Sequence, residues 1–254
     1  MKREDLPPPS ADTLDTWRGL HDAACQPYRR AGHWAWHWAR GKLGRDPVFR
    51  GMLERGDLPE NARVVDIGCG QGLMASLLQA AADMQQRGRW PAVWPVRASA
   101  SAYSGIELMA KDVGRARAAL SSLPLQPRFV CADMRQVALP ACDVVVILDV
   151  LHYVDHEAQL GVLHRVRQAL APRGRLLLRV GDAANKRAFA VSQWVDHVVT
   201  AARGHSAPPT SCRTLAEWMA LLQGLGFAVR SLSQSQGTPF ANVLLIADLQ
   251  GGSA

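Results

Sequence analysis

Arg63-Val64-Val65-Asp66-Ile67-Gly68-Cys69-Gly70-Gln71-Gly72 carries the clearest structural signal in the chain. Val64, Val65 and Ile67 are β-branched and apolar, as a buried strand requires. Gly68, Gly70 and Gly72 let the backbone turn sharply and approach a ligand with no Cβ in the way. From Leu73 to Gln86 the chain is rich in Ala, Leu, Met and Gln, which favour a helix. Strand, glycine turn and helix together predict free backbone N–H groups at a helix N-terminus, facing a ligand. The glycines run G-x-G-x-G and not the G-x-G-x-x-G of dinucleotide sites. Asp66, two residues before the first glycine, would repel a pyrophosphate and attract an ammonium.

Beyond this stretch, strands are expected at about Ala100–Ile106, Arg128–Cys131, Asp143–Leu148, Leu176–Val180, Phe227–Ser233 and Asn242–Asp248. Val144 to Leu148 is a continuous apolar run, the mark of a central strand buried on both faces. Helices are expected over Met109–Ser121, Asp155–Leu170, Ala184–Arg203 and Thr214–Gln223, the last capped by the polar residues Thr210 to Arg213 and closed by Gly224-Leu225-Gly226. Pro172-Arg173-Gly174-Arg175 reads as a turn, as does the Pro208-Pro209 segment, and Arg87 to Pro95 as a proline-broken loop.

The glycine stretch resembles motif I of the class I S-adenosylmethionine-dependent methyltransferases, and the order of strands, helices and acids is similar to that family over about residues 60 to 249. The resemblance implies an α/β fold: a Rossmann-like, doubly wound sheet of about seven strands, the last antiparallel. It implies S-adenosylmethionine as cofactor, with Asp66, Gly68, Cys69, Gly70 and Gly72 forming its seat and Glu107, ending the second strand, holding the ribose. Glu107 lies 35 residues beyond Gly72, farther than in a compact unit, and the Trp/Pro loop accounts for the excess. By position in the family pattern Asp133 would accept from the adenine amine, Met134 would flank the ring, and Leu148 would open the loop that lines the methyl-transfer site.

Chemistry at such a site asks mainly for alignment, and for a base where the acceptor carries a proton. His152, just past the fourth strand, is the first candidate and Tyr153 the second; a plain loop role fits His152 equally well. The residues after that strand, Leu148-Asp149-Val150-Leu151, lack the Asn/Asp-Pro-Pro-aromatic run of amino-methylating nucleic-acid enzymes.

The organisation expected is a disordered tail over residues 1–13, an N-terminal helical cap over 14–58 and the cofactor domain over 59–254. The cap is helical in pieces broken at Pro27, Gly41-Lys42-Leu43-Gly44 and Pro47. Its middle piece reads His33-Trp34-Ala35-Trp36-His37-Trp38, with Trp34 and Trp38 on one helical face and His33 and His37 on another. Two readings fit: the tryptophans pack this piece onto the main domain, or Trp34, Trp36, His37 and Trp38 wall an acceptor pocket. No third ligand at a metal spacing accompanies the two histidines, so no metal is expected.

Net charge is +7 and the five cysteines form no C-x-x-C pair, which fits reduced thiols and a cytoplasmic home. The positive charges are scattered, including the rim Arg29, Arg30, Arg40 and Lys42; no nucleic-acid partner is expected, and no apolar run could span a membrane. The acceptor that fits best is a small, partly apolar metabolite (a phenol, lipid or polyketide-type compound), free or tethered to a carrier protein. RNA or protein methylation is the enzymatic alternative, and a catalytically silent cofactor-binding subunit the alternative of another class. Nothing in the chain specifies an oligomer.

Overall fold

The β-branched run before the glycines forms β1 (Ala62–Ile67), and the Ala/Leu/Met stretch after them forms α4 (Leu73–Gln86), in a computed structural model that describes residues 11–181, 211–234 and 242–251. The chain divides near Val145 into two units. In the first, α1 (Ala11–Cys25), a 3-10 helix (Gln26–Ala31), α2 (His33–Arg45) and α3 (Pro47–Arg55) precede β1. β2 (Ala100–Glu107), α5 (Ala110–Leu120) and β3 (Arg128–Cys131) follow α4. β4 (Cys142–Leu148) leads into the second unit, which holds a 3-10 helix (Leu151–Tyr153), α6 (His156–Ala169), β5 (Leu170–Gly181), α7 (Leu215–Gly224), β6 (Phe227–Ser233) and β7 (Asn242–Leu249). The seven strands make one sheet in the order β3-β2-β1-β4-β5-β7-β6. β1, β2 and β3 pair in parallel, whereas β7 runs antiparallel to both β5 and β6, as the sequence implies.

Two expectations change. Gly41 and Gly44 do not break the cap: α2 runs through both, held by its buried stripe Ala35, Ala39 and Leu43. A Cβ on Gly44 would sit 3.1 Å from Nε2 of His21, so this glycine lets α1 and α2 approach closely. The cap of α7 is Thr214 and not the preceding polar run; its side chain accepts from the Glu217 N–H while Glu217 reaches back, a reciprocal capping box. The turn expected at Pro172–Arg175 survives as a local feature inside β5. Arg173 has φ +62, and the ladder with β7 begins only at Arg175. Residues 1–10 of the tail expected over 1–13, the helix at 184–203 and the Pro208-Pro209 segment lie outside the described residues, and residues 11–13 belong to α1 and not to a tail.

α4 is buried on nearly every side from Leu73 to Ala81, because β2 takes one face and α1 another. Ser76 donates its hydroxyl to the Ala24 carbonyl at 2.6 Å, joining α4 to the end of α1. The cap is thus continuous with the helix that leaves the glycine turn. The cysteines are all free, with Cys25, Cys69 and Cys142 buried and Cys131 exposed on β3.

Candidate functional site

The C-terminal end of β1 carries the glycine turn, and the first unit gathers Glu107, Asp66, Tyr28 and Trp38 around it. Gly68, Gly70 and Gly72 all have positive φ (+74, +54 and +76), the left-handed region where a side chain is strained. Their roles differ. A Cβ on Gly72 would lie 2.7 Å from the Phe129 ring and 2.9 Å from Leu120, so this glycine serves packing. Among the described residues, a Cβ on Gly70 would meet nothing within 4 Å except Cη2 of Trp38, at 3.8 Å; this glycine faces a space walled by one indole.

Four backbone donors of the glycine turn bond within the protein. Gly68 and Cys69 both donate to the Ile106 carbonyl (2.8 and 3.1 Å), Gly72 donates to Cys69 (2.9 Å), and Gly70 donates to Oε2 of Glu107 at 2.9 Å. The other carboxylate oxygen of Glu107 accepts from the Met109 N–H, also at 2.9 Å. These four donors are turned onto the protein. Glu107 is fixed by two backbone bonds, and a carboxylate with about four acceptor positions keeps capacity for a ligand's hydroxyls.

Asp66 is buried behind the turn and accepts from the Tyr103 hydroxyl at 2.5 Å. Burial lifts its carboxyl to about 7; the Tyr103 hydrogen bond opposes the rise and the nearby Glu107 charge adds to it. Burial likewise holds the Tyr103 hydroxyl protonated, so it stays the donor. Tyr28, fully buried in the 3-10 helix of the cap, donates to the carbonyl of Gln71 at 2.8 Å. Tyr28→Phe should therefore leave a buried carbonyl without this donor and lower unfolding stability by about 1–2 kcal/mol in urea titration. No loss would mean that the bond is not made in solution.

The adjoining edge is set by register. Glu107 pairs with Cys131, and Ala132 N–H donates to the Glu107 carbonyl at 3.0 Å, which brings the Ala132-Asp133-Met134 step beside the end of β2. Asp133 is gripped by Arg135 through its backbone N–H (2.8 Å) and guanidinium (2.6 to 3.1 Å), so its carboxylate is held in one orientation.

Of the four cap residues singled out, Trp38 stands at Gly70. Trp34 stacks on Trp38 with rings 6.3 Å apart and 13° from parallel, and Arg115 of α5 lies 4.1 Å over the Trp34 ring. The guanidinium groups of Arg29 and Arg40 both lie over the Trp36 ring, at 4.7 and 5.3 Å. His37 faces His33, Nε2 to Nε2 at 2.9 Å. Among the described residues no group of three or more His, Cys, Asp or Glu side chains could hold a metal ion.

Leu148, half-buried, closes β4, and the remaining candidates belong to the second unit. Asp149 has φ +59, and its carboxylate is bound by the guanidinium of the buried Arg179, with Nε to Oδ1 at 2.8 Å. His152 and Tyr153 follow on the 3-10 helix with rings 4.2 Å apart. Gln159, fully buried on α6, pins their loop: it donates to the carbonyls of Leu151, Val154 and Ser211 at 3.3, 3.1 and 2.7 Å and accepts from Arg213 at 2.9 Å. Ser211 in turn donates its N–H to the His152 carbonyl at 2.9 Å. Sequence reasoning missed Tyr28, Tyr103, Gln159 and Arg179; only Arg179, in Leu176-Leu177-Leu178-Arg179-Val180, stands out as a charge in an apolar run.

Comparison with known proteins gives the family and the fold. A family model described as a methyltransferase domain matches residues 16–232. No curated protein sequence matches. A magnesium protoporphyrin IX methyltransferase from Synechocystis PCC 6803, solved with bound SAH, is similar in structure: TM-score 0.57, 18% identity, 93% of this chain and 99% of that one covered. An O-methyltransferase family protein from Burkholderia thailandensis aligns with TM-score 0.60 and 18% identity over 95% of this chain and 70% of that one. An S-adenosylmethionine dependent methyltransferase from Mesorhizobium loti aligns with TM-score 0.55 and 19% identity over 80% and 96%.

Proposed function

The chain belongs to the methyltransferase-domain family, and we propose that it is an S-adenosylmethionine-dependent methyltransferase acting on a small, partly apolar acceptor, free or carried on a protein. The observation that carries the reading is the convergence on one turn of an open Gly70, a twice-anchored Glu107 and a buried Asp66. These residues fit the cofactor. Glu107 would take the ribose hydroxyls, Met134 and the Asp133 step the adenine end, and Asp66 the side of the ammonium. Gly68 and Cys69 shape the floor of the seat, and Gly72 keeps it packed on Phe129. S-adenosylmethionine, when bound, supplies a methyl group already activated by its sulfonium.

The chain's own residues then have to hold, orient and accept a proton. The cap excludes water from the Gly70 side through Trp38. His152, on a loop pinned by Gln159, is the residue we assign as base for an acceptor that carries a proton. Cofactor titration by calorimetry, followed by transfer of a labelled methyl group to panels of phenols, lipids and carrier-bound acids, tests the proposal. Cofactor binding with turnover on none of these classes would point to a different acceptor class or to a silent subunit.

A pH dependence follows from Asp66. Its carboxyl ionises near 7 in the folded protein, against 3.8 for an ordinary aspartate. Folding is therefore favoured by its protonated form; that contribution is complete below 3.8 and is lost as the pH rises through about 7. A ligand ammonium pairs with the ionised form, so affinity should rise with pH over the same range. Between about pH 5.5 and 7, where a free α-amino group stays largely protonated, the gain should be about tenfold. Asp66→Asn should flatten the profile. An unchanged slope in that variant would mean that another group titrates.

A further inference from the structure

We propose that Trp38 is the residue that recognises the positive charge of the sulfonium, and that it makes this protein bind the methylated cofactor more tightly than the demethylated product relative to a site without the indole. The inference rests on the cofactor seat proposed above. The cofactor's own connectivity supplies the first step. Its sulfur joins the 5′ carbon of the ribose to the chain that bears the ammonium. With ribose on Glu107 and ammonium toward Asp66, the sulfur crosses Gly70, whose N–H is already fixed to Glu107 at 2.9 Å. Among the described residues, the space a Cβ would take on Gly70 is bounded within 4 Å by one atom, the benzo-ring carbon Cη2 of Trp38, at 3.8 Å.

The second step is the pattern of cations on the cap. α2 presents three tryptophans, and two carry resident guanidinium groups: Arg115 over Trp34 at 4.1 Å, and Arg29 and Arg40 over Trp36 at 4.7 and 5.3 Å. An indole is the best cation–π acceptor among side chains, and a desolvated one binds a cation more strongly than an exposed one. Among the described residues no arginine or lysine lies over Trp38; its ring neighbour is Trp34, stacked at 6.3 Å. Trp38 is also the one held at the glycine turn, half-buried, where the 3-10 helix preceding α2 is itself bonded to Gln71 by Tyr28. The indole that no described guanidinium covers is thus the indole beside the path of the ligand's cation. Loss of the methyl group turns the sulfonium into a neutral thioether, and the attraction ends with it.

The test compares S-adenosylmethionine with S-adenosylhomocysteine by calorimetry on the full chain, in wild type, Trp38→Leu and Trp38→Phe. Trp38→Leu keeps an apolar wall and removes the π face. It should weaken the sulfonium ligand by about five- to thirtyfold while the thioether changes by less than about threefold. Trp38→Phe should keep most of the discrimination. Trp36→Leu, as a control on the same helix, should leave the ratio of the two affinities near the wild-type value. If both ligands weaken equally in Trp38→Leu, the indole is a wall without charge recognition and the proposal fails while the seat stands. If wild type binds neither ligand, the seat itself is wrong, and the proposal falls with it.

Discussion

Gly72→Val is expected to destabilise the first unit by about 3–5 kcal/mol, a large fraction of the roughly 5–15 kcal/mol that holds an ordinary domain folded. Two effects add. The residue sits at φ +76, where a β-branched side chain is strongly disfavoured. The new Cβ would also lie 2.7 Å from two atoms of the Phe129 ring and 2.9 Å from Leu120, in a region with no slack. Gly70→Ala should behave differently. Its φ of +54 still carries a strain of about 1–2 kcal/mol, but among the described residues the added methyl has only Trp38 within 4 Å, at an ordinary contact distance. Gly70→Ala should therefore fold, with a modest fall in melting temperature, and lose affinity for cofactor. Far-ultraviolet circular dichroism during heating, beside calorimetry, separates the two. Equal behaviour of both variants would remove the distinction between a packing glycine and a ligand-facing one.

Glu107→Ala should weaken cofactor binding by about a hundredfold or more. Two charge-assisted bonds, from Gly70 and Met109, fix the carboxylate, each of a type worth about 1.5–3 kcal/mol. Their loss frees the turn and removes the ribose acceptor at once. Glu107→Gln offers an intermediate case: one oxygen still accepts, but an NH2 group now opposes the second backbone N–H. Affinities ranked wild type, Gln, Ala are expected. If Glu107→Ala binds as well as wild type, the ribose does not sit there.

Much of this arrangement is legible in the chain. β1, the turn and α4 follow from a β-branched run, three glycines and a stretch of helix formers, because local preference and burial agree there. Glu107 could be placed despite its long separation from Gly72, since a strand ending in an acid survives the insertion of the Trp/Pro loop. The state of the turn's donors was not legible. That Gly70 bonds to Glu107 and that Gly68 and Cys69 bond to Ile106 depends on the parallel register of β1 with β2. Tyr28 reaches Gln71 across 43 residues, and no periodicity marks it. Gly41 and Gly44 read as a helix break by composition; the packing of α1 on α2 overrides that preference. Trp34, Trp36 and Trp38 look alike in sequence, and only the positions of Arg29, Arg40, Arg115 and Gly70 tell them apart.

The cap is also more than a cover laid over a finished core. Ser76 holds Ala24, Tyr28 holds Gln71 and Trp38 stands at Gly70, so the segment before β1 shares its contacts with the turn that would seat the cofactor. Whether this turn seats S-adenosylmethionine is decided by one calorimetric experiment: titration of the full chain at neutral pH with S-adenosylmethionine and, in parallel, with NAD. Saturable binding of S-adenosylmethionine at one site per chain, weakened in Glu107→Ala, with no comparable binding of NAD, is expected; binding of NAD in preference, or S-adenosylmethionine binding that is indifferent to Glu107, would refute the seat.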